Sequence, residues 1–224
     1  MSTATPRPAP ELNPFDRPPL ASRSAAAESA SIGKTGLRFL LAVVTSLFML
    51  LIVAMLIRSQ YADWESLTEP WQPLAHPWSL WVNSALLLLA SVALQWARSA
   101  ARRQDQAAMV NRLALGGVLS CGFVAGQLWV WQLLHGQGFG VAGNPANSFF
   151  YLLTGLHGLH IVGGLLAWAK VLLAARYLNT AQLAARVELC ATYWHYLLGV
   201  WLVLFALLTS SPQTFRSFAS LCGF

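Results

Sequence analysis

Residues 39–57, 77–97, 113–169 and 189–211 contain no Asp, Glu, Lys or Arg. The third run is too long for one membrane crossing, and the Gly/Asn/Pro cluster over 136–147 divides it. Five apolar segments result, near 39–57, 78–97, 113–134, 147–169 and 189–210. Each is close to the ~20 residues a helix needs to cross a hydrocarbon core of about 30 Å. No alternation of period two runs through them, and backbone in lipid must satisfy its own hydrogen bonds, so helices are expected rather than strands. The pattern predicts an all-α polytopic membrane bundle of five transmembrane helices over 34–212. It is preceded by a disordered leader over 1–33, rich in Pro, Ala and Ser, and followed by a short tail over 213–224.

Composition agrees with this. Hydrophobic residues make up 56% of the chain and charged residues 10%, against about 25% charged in a soluble domain. The net charge of +6 is explained by position rather than by a nucleic-acid partner. Of 14 Lys and Arg, Arg7, Arg17, Arg23, Lys34 and Arg38 precede or open the first span. Arg98, Arg102, Arg103 and Arg112 lie between the second and third, and Lys170, Arg176 and Arg186 between the fourth and fifth. Only Arg58 and Arg216 fall in the alternate set of loops. Cations sorted this way place the N-terminus in the cytoplasm and the C-terminus on the outer, periplasmic side of the plasma membrane. The loop 59–78 carries Trp64, Trp71 and Trp78 and is expected to lie along the outer interface. Three scattered cysteines, Cys121, Cys190 and Cys222, make no disulfide framework.

Small residues punctuate the third span: Gly117, Cys121 and Ala125 recur at four-residue spacing, as do Gly122 and Gly126. Such spacing lets helix backbones approach closely, and Gly158 and Gly164 extend the expectation to the fourth span. The polar residues inside the last two spans are the candidates for chemistry, because ionisable groups are expensive in lipid. Thr154, His157, His160 and Gly164 fall along one helical stripe; Glu188, Thr192, His195 and Gly199 fall along another. Joined by a short loop, the two spans are expected to turn these stripes toward each other or toward a shared groove.

Three readings stand open at this point. His157 or His160 with His195 could ligate a b-type haem, although His195 lies roughly 10 Å and His160 roughly 20 Å from the same membrane face. Glu188 with the three histidines could hold copper or zinc. The third reading is buried polar groups satisfying one another, backbone carbonyls or lipid headgroups, with no catalytic or metal-ligating residue in the chain.

Two stretches go beyond composition. Residues 149–164 read Phe-Phe-Tyr-Leu-Leu-Thr-Gly-Leu-His-Gly-Leu-His-Ile-Val-Gly-Gly, and 187–205 read Val-Glu-Leu-Cys-Ala-Thr-Tyr-Trp-His-Tyr-Leu-Leu-Gly-Val-Trp-Leu-Val-Leu-Phe. These resemble the last two helices of subunit III of the haem-copper oxidases, the cytochrome c and quinol oxidases. The family pattern T-G-x-H-G-x-H followed by E-x-x-x-x-Y-W-H-F is matched by Thr154, His157, His160, Glu188, Trp194 and His195, with Trp201 beyond. Weaker similarity reaches upstream through Gln127 and the Trp81–Leu89 run. Thr45 and Ser46 are the most polar residues where the family often carries a glutamate in the first of these spans. Leu198 replaces an Asp, and Val130 and Trp131 stand where a Glu often follows Gln127.

The resemblance implies the five-helix short form of a subunit that carries no haem or copper itself. It would pack against subunits I and II, which hold those cofactors, bind membrane phospholipid, and support proton translocation in aerobic electron transport. Thr154, His157, His160, Glu188, Trp194, His195 and Trp201 would then be lipid-binding or helix-packing residues. The accessory subunit of a nitric-oxide reductase shares the architecture implied and is the alternative within the superfamily.

Overall fold

The computed structural model describes residues 20–61, 63–64 and 78–210, with backbone alone over 20–30. The described residues form five α-helices and no strand: α1 (Leu20–Arg58), α2 (Trp78–Arg102), α3 (Gln106–Gly136), α4 (Pro145–Ala174) and α5 (Thr180–Leu208). All five are long and apolar enough to span a bilayer. The start of the leader, most of the loop holding Trp71, and the tail with Cys222 lie outside the described residues.

The helices overrun the charge-free runs at both ends. Arg98, Arg102, Arg112, Lys170 and Arg186 are helical, because a long cationic side chain at a helix end can reach the interface while its backbone continues the helix. The largest difference from expectation is α1, which begins at Leu20, within the stretch expected to be a disordered leader. Past Pro19 the chain holds no proline until Pro70 and reads Ala-Ser-Arg-Ser-Ala-Ala-Ala-Glu, and nothing in that composition halts a helix growing back from the span.

Caps set the other boundaries. Gln104, at φ 58, turns the chain after α2, and Asp105 caps α3 by accepting from the Ala108 N–H at 3.0 Å. Asn144 accepts from Ala146 N–H at 3.0 Å, with Pro145 opening α4. Asn179 accepts from Gln182 N–H at 2.8 Å to start α5. These are the short polar side chains that complete orphan N–H groups at helix starts.

Helices α2 to α5 close a ring: α2 against α3 and α5, and α4 against α3 and α5. The most extensive seam is α2–α3, where Ala90, Ala93, Ala97 and Ala100 are buried. A Cβ at Gly116 would lie 3.3 Å from the Ala90 carbonyl oxygen, so the two backbones nearly touch. Helix α1 leans on α4 and α5 from outside the ring. It buries a narrow seam of Val44, Phe48 and Met55 while Val43, Leu47, Leu50 and Val53 stay exposed. Alternating helix directions gather Lys34, Arg98, Arg102, Arg112, Lys170 and Arg186 at one end of the bundle, called here the basic end. At the opposite end Arg58 pairs with Asp63 through both guanidinium nitrogens, one at 2.7 Å, and that hydrogen bond holds the Asp63 carboxyl below its ordinary range.

Candidate functional site

The two polar stripes of α4 and α5 do not share a groove. On α4, Thr154 and His157 turn into the ring, as does Gly164, while His160 is rotated toward α1. On α5 the face turned inward carries Val187, Ala191, Trp194, Leu197 and Trp201, so Thr192, His195 and Gly199 point outward and are exposed. The two stripes expected to face one another are therefore on opposite sides of α5. The reason is geometric: at 100° per residue His195 is the immediate neighbour of Trp194, and the two large indoles take the interior.

What fills the interior is a set of indole–hydroxyl pairs. Trp194 donates to Ser120 Oγ at 2.6 Å, Trp201 to Ser84 Oγ at 2.8 Å, and Trp131 to Thr154 Oγ1 at 3.2 Å. Each hydroxyl in turn donates to the carbonyl four residues back on its own helix: Ser120 to Gly116, Ser84 to Leu80, Thr154 to Phe150. Every buried indole N–H and hydroxyl in this set is thus satisfied without water. The pairs tie α5 to α3, α5 to α2 and α3 to α4. Asn83 and Gln127 add a further tie between α2 and α3 at 2.9 Å.

His157 sits among these pairs but joins none. It has no exposed surface, and neither ring nitrogen has a hydrogen-bond partner. Its ring stacks on Trp201, with centroids 5.3 Å apart and planes inclined 28°, and meets the edges of Phe123 and Phe48. It behaves as a fourth aromatic ring. His160 bonds the Leu156 carbonyl through Nδ1 at 2.8 Å, and Tyr193 donates to the His160 carbonyl at 3.0 Å. The same two residues line an apolar groove of about 410 Å³ between α1, α4 and α5. His195 bonds the Ala191 carbonyl on its own helix. Glu188 lies at the basic end, 3.5 Å from Lys34 and 3.4 Å from Arg98. Among the described residues, no three His, Cys, Asp or Glu side chains gather where a metal ion could be held.

The small residues divide. A Cβ at Gly117 would meet the Trp168 ring at 2.1 Å, at Gly126 the Asn83 Oδ1 at 2.1 Å, and at Gly164 the Tyr193 ring at 2.7 Å. Gly122 has one neighbour at 3.8 Å and Gly158 none within 4 Å, while Cys121 is exposed, so no contact inside this chain requires their smallness. Sequence reasoning passed over Ser84, Ser120, Phe48, Phe123 and Trp168. A serine inside a membrane run next to a tryptophan-bearing span was the available signal for the first two.

Five apolar helices around a core of indole–hydroxyl pairs make this a multi-pass membrane protein. The chain belongs to the cytochrome c oxidase subunit III family, whose model matches residues 25–210. A cytochrome c oxidase subunit 3 of Synechocystis sp. is 35% identical over 130 residues, covering 56% of this chain and 54% of that protein. A probable cytochrome c oxidase subunit 3 of Nocardia farcinica is 31% identical, with 55% and 61% covered. A cytochrome bo(3) ubiquinol oxidase subunit 3 of Pseudomonas aeruginosa is 31% identical, with 55% and 60% covered. The match spans little more than half the length of these curated relatives.

Proposed function

We propose that this chain is the non-catalytic subunit III of a haem-copper terminal oxidase in a bacterial plasma membrane, packed beside subunits I and II, which hold the haem and copper. The observation that carries this reading is the family match over 25–210, which takes in all five spans and both polar signatures. A supporting role agrees with how the polar side chains are used. Thr154, Trp194 and Trp201 join helices, and His160 and His195 bond their own helix backbones. A haem between His157 and His195 would need both imidazoles in one space, whereas one lies under Trp201 inside the ring and the other points out of it. The apolar groove beside His160 suits the acyl chain of a phospholipid, and the basic end is assigned to the cytoplasm.

Purification of the tagged chain from its native membranes in mild detergent tests this. Two larger subunits and a haem spectrum that leaves with them are expected. A Soret band that stays with the isolated chain and vanishes in His195→Ala would overturn the reading. The relative from Pseudomonas aeruginosa, named as a ubiquinol oxidase subunit, supports a second form of the proposal in which quinol is the electron donor. Oxygen uptake by the purified complex on reduced cytochrome c and on quinol separates the two.

A further inference from the structure

His195 carries an unmade hydrogen bond on the lipid side of the bundle. It is exposed, and stands roughly 9 Å into the charge-free run 189–211 at 1.5 Å per residue. Its Nδ1 bonds the Ala191 carbonyl. A carbonyl only accepts, so Nδ1 carries the proton and Nε2 of the neutral ring keeps a bare lone pair. That nitrogen has no partner among the described residues. Hydrocarbon holds no water to supply one, and acyl chains and ester carbonyls have no N–H or O–H to donate.

Around His195 the helix is shaped to receive another. Thr192, His195, Gly199, Leu202 and Ala206 are exposed and alternate at spacings of three and four, an arc of about 80° at 100° per residue. This is the spacing of a left-handed seam between helices. Thr192, Gly199 and Ala206 are its small members, and a Cβ at Gly199 would meet nothing within 4 Å. Helix α1 bounds one side. An apolar groove of about 250 Å³ is lined there by Phe48, Met49 and Ile52 of α1 and by Gly199, Val200 and Val203 of α5. The two hydroxyls that also line it, Thr45 and Tyr196, bond each other at 2.8 Å.

We propose that this face of α5 seats a transmembrane helix of a different polypeptide, which donates a hydrogen bond to His195 Nε2. The donor is a hydroxyl, amide or indole side chain. Since His195 and Gly199 stand one turn apart, a large apolar residue three or four positions from that donor fills the groove beside Gly199. A lipid fails the need for a donor at this depth. A second copy of this chain fails it too. About a twofold axis along the bilayer normal, His195 would meet His195 lone pair to lone pair, and the Thr192 hydroxyl is already given to the Glu188 carbonyl at 2.9 Å. The inference rests on the subunit reading and adds which face meets another chain, and through which atom.

The photo-crosslinker p-benzoylphenylalanine in place of Leu202, a residue 50% exposed, reads the occupant directly. After irradiation of native membranes the tagged chain is purified in mild detergent, and mass spectrometry identifies its adducts and companion subunits. An adduct with a helix of another polypeptide is expected. Lipid adducts alone, in preparations that keep companion subunits, overturn this inference and leave the subunit reading standing. An adduct between two copies of this chain does the same. Preparations without any companion subunit sink the subunit reading, and this inference with it.

Variants test the atom. His195→Phe keeps a ring without the lone pair and should lower retention of the companion in a detergent titration roughly three- to tenfold, the worth of one hydrogen bond between membrane helices. His195→Gln, whose amide oxygen accepts, should recover most of that loss. Gly199→Leu fills the seat and should lower retention at least as far. The isolated Gly199→Leu chain should keep its wild-type circular dichroism, because nothing of its own lies within 4 Å of a Cβ there. Retention unchanged by both His195→Phe and Gly199→Leu overturns the proposal. Equal losses in His195→Phe and His195→Gln overturn the hydrogen bond it is built on.

Discussion

A methyl group at position 117 probes one of the two closest approaches in the bundle. The Trp168 indole of α4 lies on the bare backbone of Gly117 in α3, and its Nε1 donates to the Leu113 carbonyl one turn earlier, at 2.8 Å. In Gly117→Ala the new carbon would stand 2.1, 2.1 and 2.7 Å from three atoms of that ring. Carbon atoms pack at about 3.5–4.0 Å, so the indole must retreat by more than ~1 Å and lose its carbonyl. Overpacking of this kind costs about 1–3 kcal/mol, and the lost hydrogen bond about 0.5–1.5 kcal/mol. Alanine returns about 1 kcal/mol of helix propensity. The balance is a destabilisation of about 1–3 kcal/mol.

Unfolding of the purified chain from mild detergent by titration with dodecyl sulfate, followed by circular dichroism, reads this cost. The informative comparison is a double-mutant cycle with Trp168→Leu, which removes the ring. In that background Gly117→Ala should cost nothing or stabilise slightly, a coupling of more than ~1 kcal/mol between the two sites. Gly158→Ala is the control, since nothing lies within 4 Å of the added carbon. If Gly117→Ala is as benign as Gly158→Ala, or costs the same with and without the indole, the close approach of α3 and α4 is wrong.

The same titration checks two further expectations, and an NMR titration a third. Ser120→Ala strands the Trp194 N–H, whose residue is 1% exposed, and should cost about 1–3 kcal/mol; an effect no larger than that of a surface serine would refute the pairing. His157→Phe should be near neutral, because no hydrogen bond is lost from either ring nitrogen and the aromatic cage persists, while His157→Ala should cost about 3 kcal/mol or more through the cavity left behind; equal losses in the two variants would show that the imidazole nitrogens matter. The Arg58 hydrogen bond depresses the Asp63 carboxyl below its ordinary 3.8, so the pair contributes above the ordinary carboxylate range and is lost only as pH falls through the depressed value; a carboxyl midpoint at or above 3.8 would refute it.

How much of this was legible in the chain follows from what membrane sequences encode. The five spans, their order and the sorting of cations could be read directly, because charge is excluded from hydrocarbon regardless of how helices pack. The phase of each helix was not legible. Glu188, Thr192, His195 and Gly199 form a true stripe, yet Thr192, His195 and Gly199 on it face outward, since a helix apolar on every side offers no contrast that names its inner face. The pairs Ser120–Trp194 and Ser84–Trp201 join residues 74 and 117 positions apart, and no local pattern specifies such partners. The small-residue spacing was legible only in part. Gly117, Gly126 and Gly164 leave no room for a Cβ, whereas Gly122, on the same helix as two of them, has room for one.

The contrast between α1 and α2 explains why polarity was the better guide to the interior. Helix α1 has the most apolar span of the five, but only 17% of that stretch is buried, against 50% for α2, whose span holds Asn83, Ser84 and Ser91. In water the apolar face marks the core. In lipid the outward face pays nothing for being apolar, and a serine or asparagine must find a partner inside, so the rule inverts. By that rule the hydroxyl-bearing spans α2 and α3 form the most extensive seam, and α1 is held by Phe48 and by the 2.8 Å hydrogen bond between Thr45 and Tyr196. Its remaining surface is free to meet lipid or another chain.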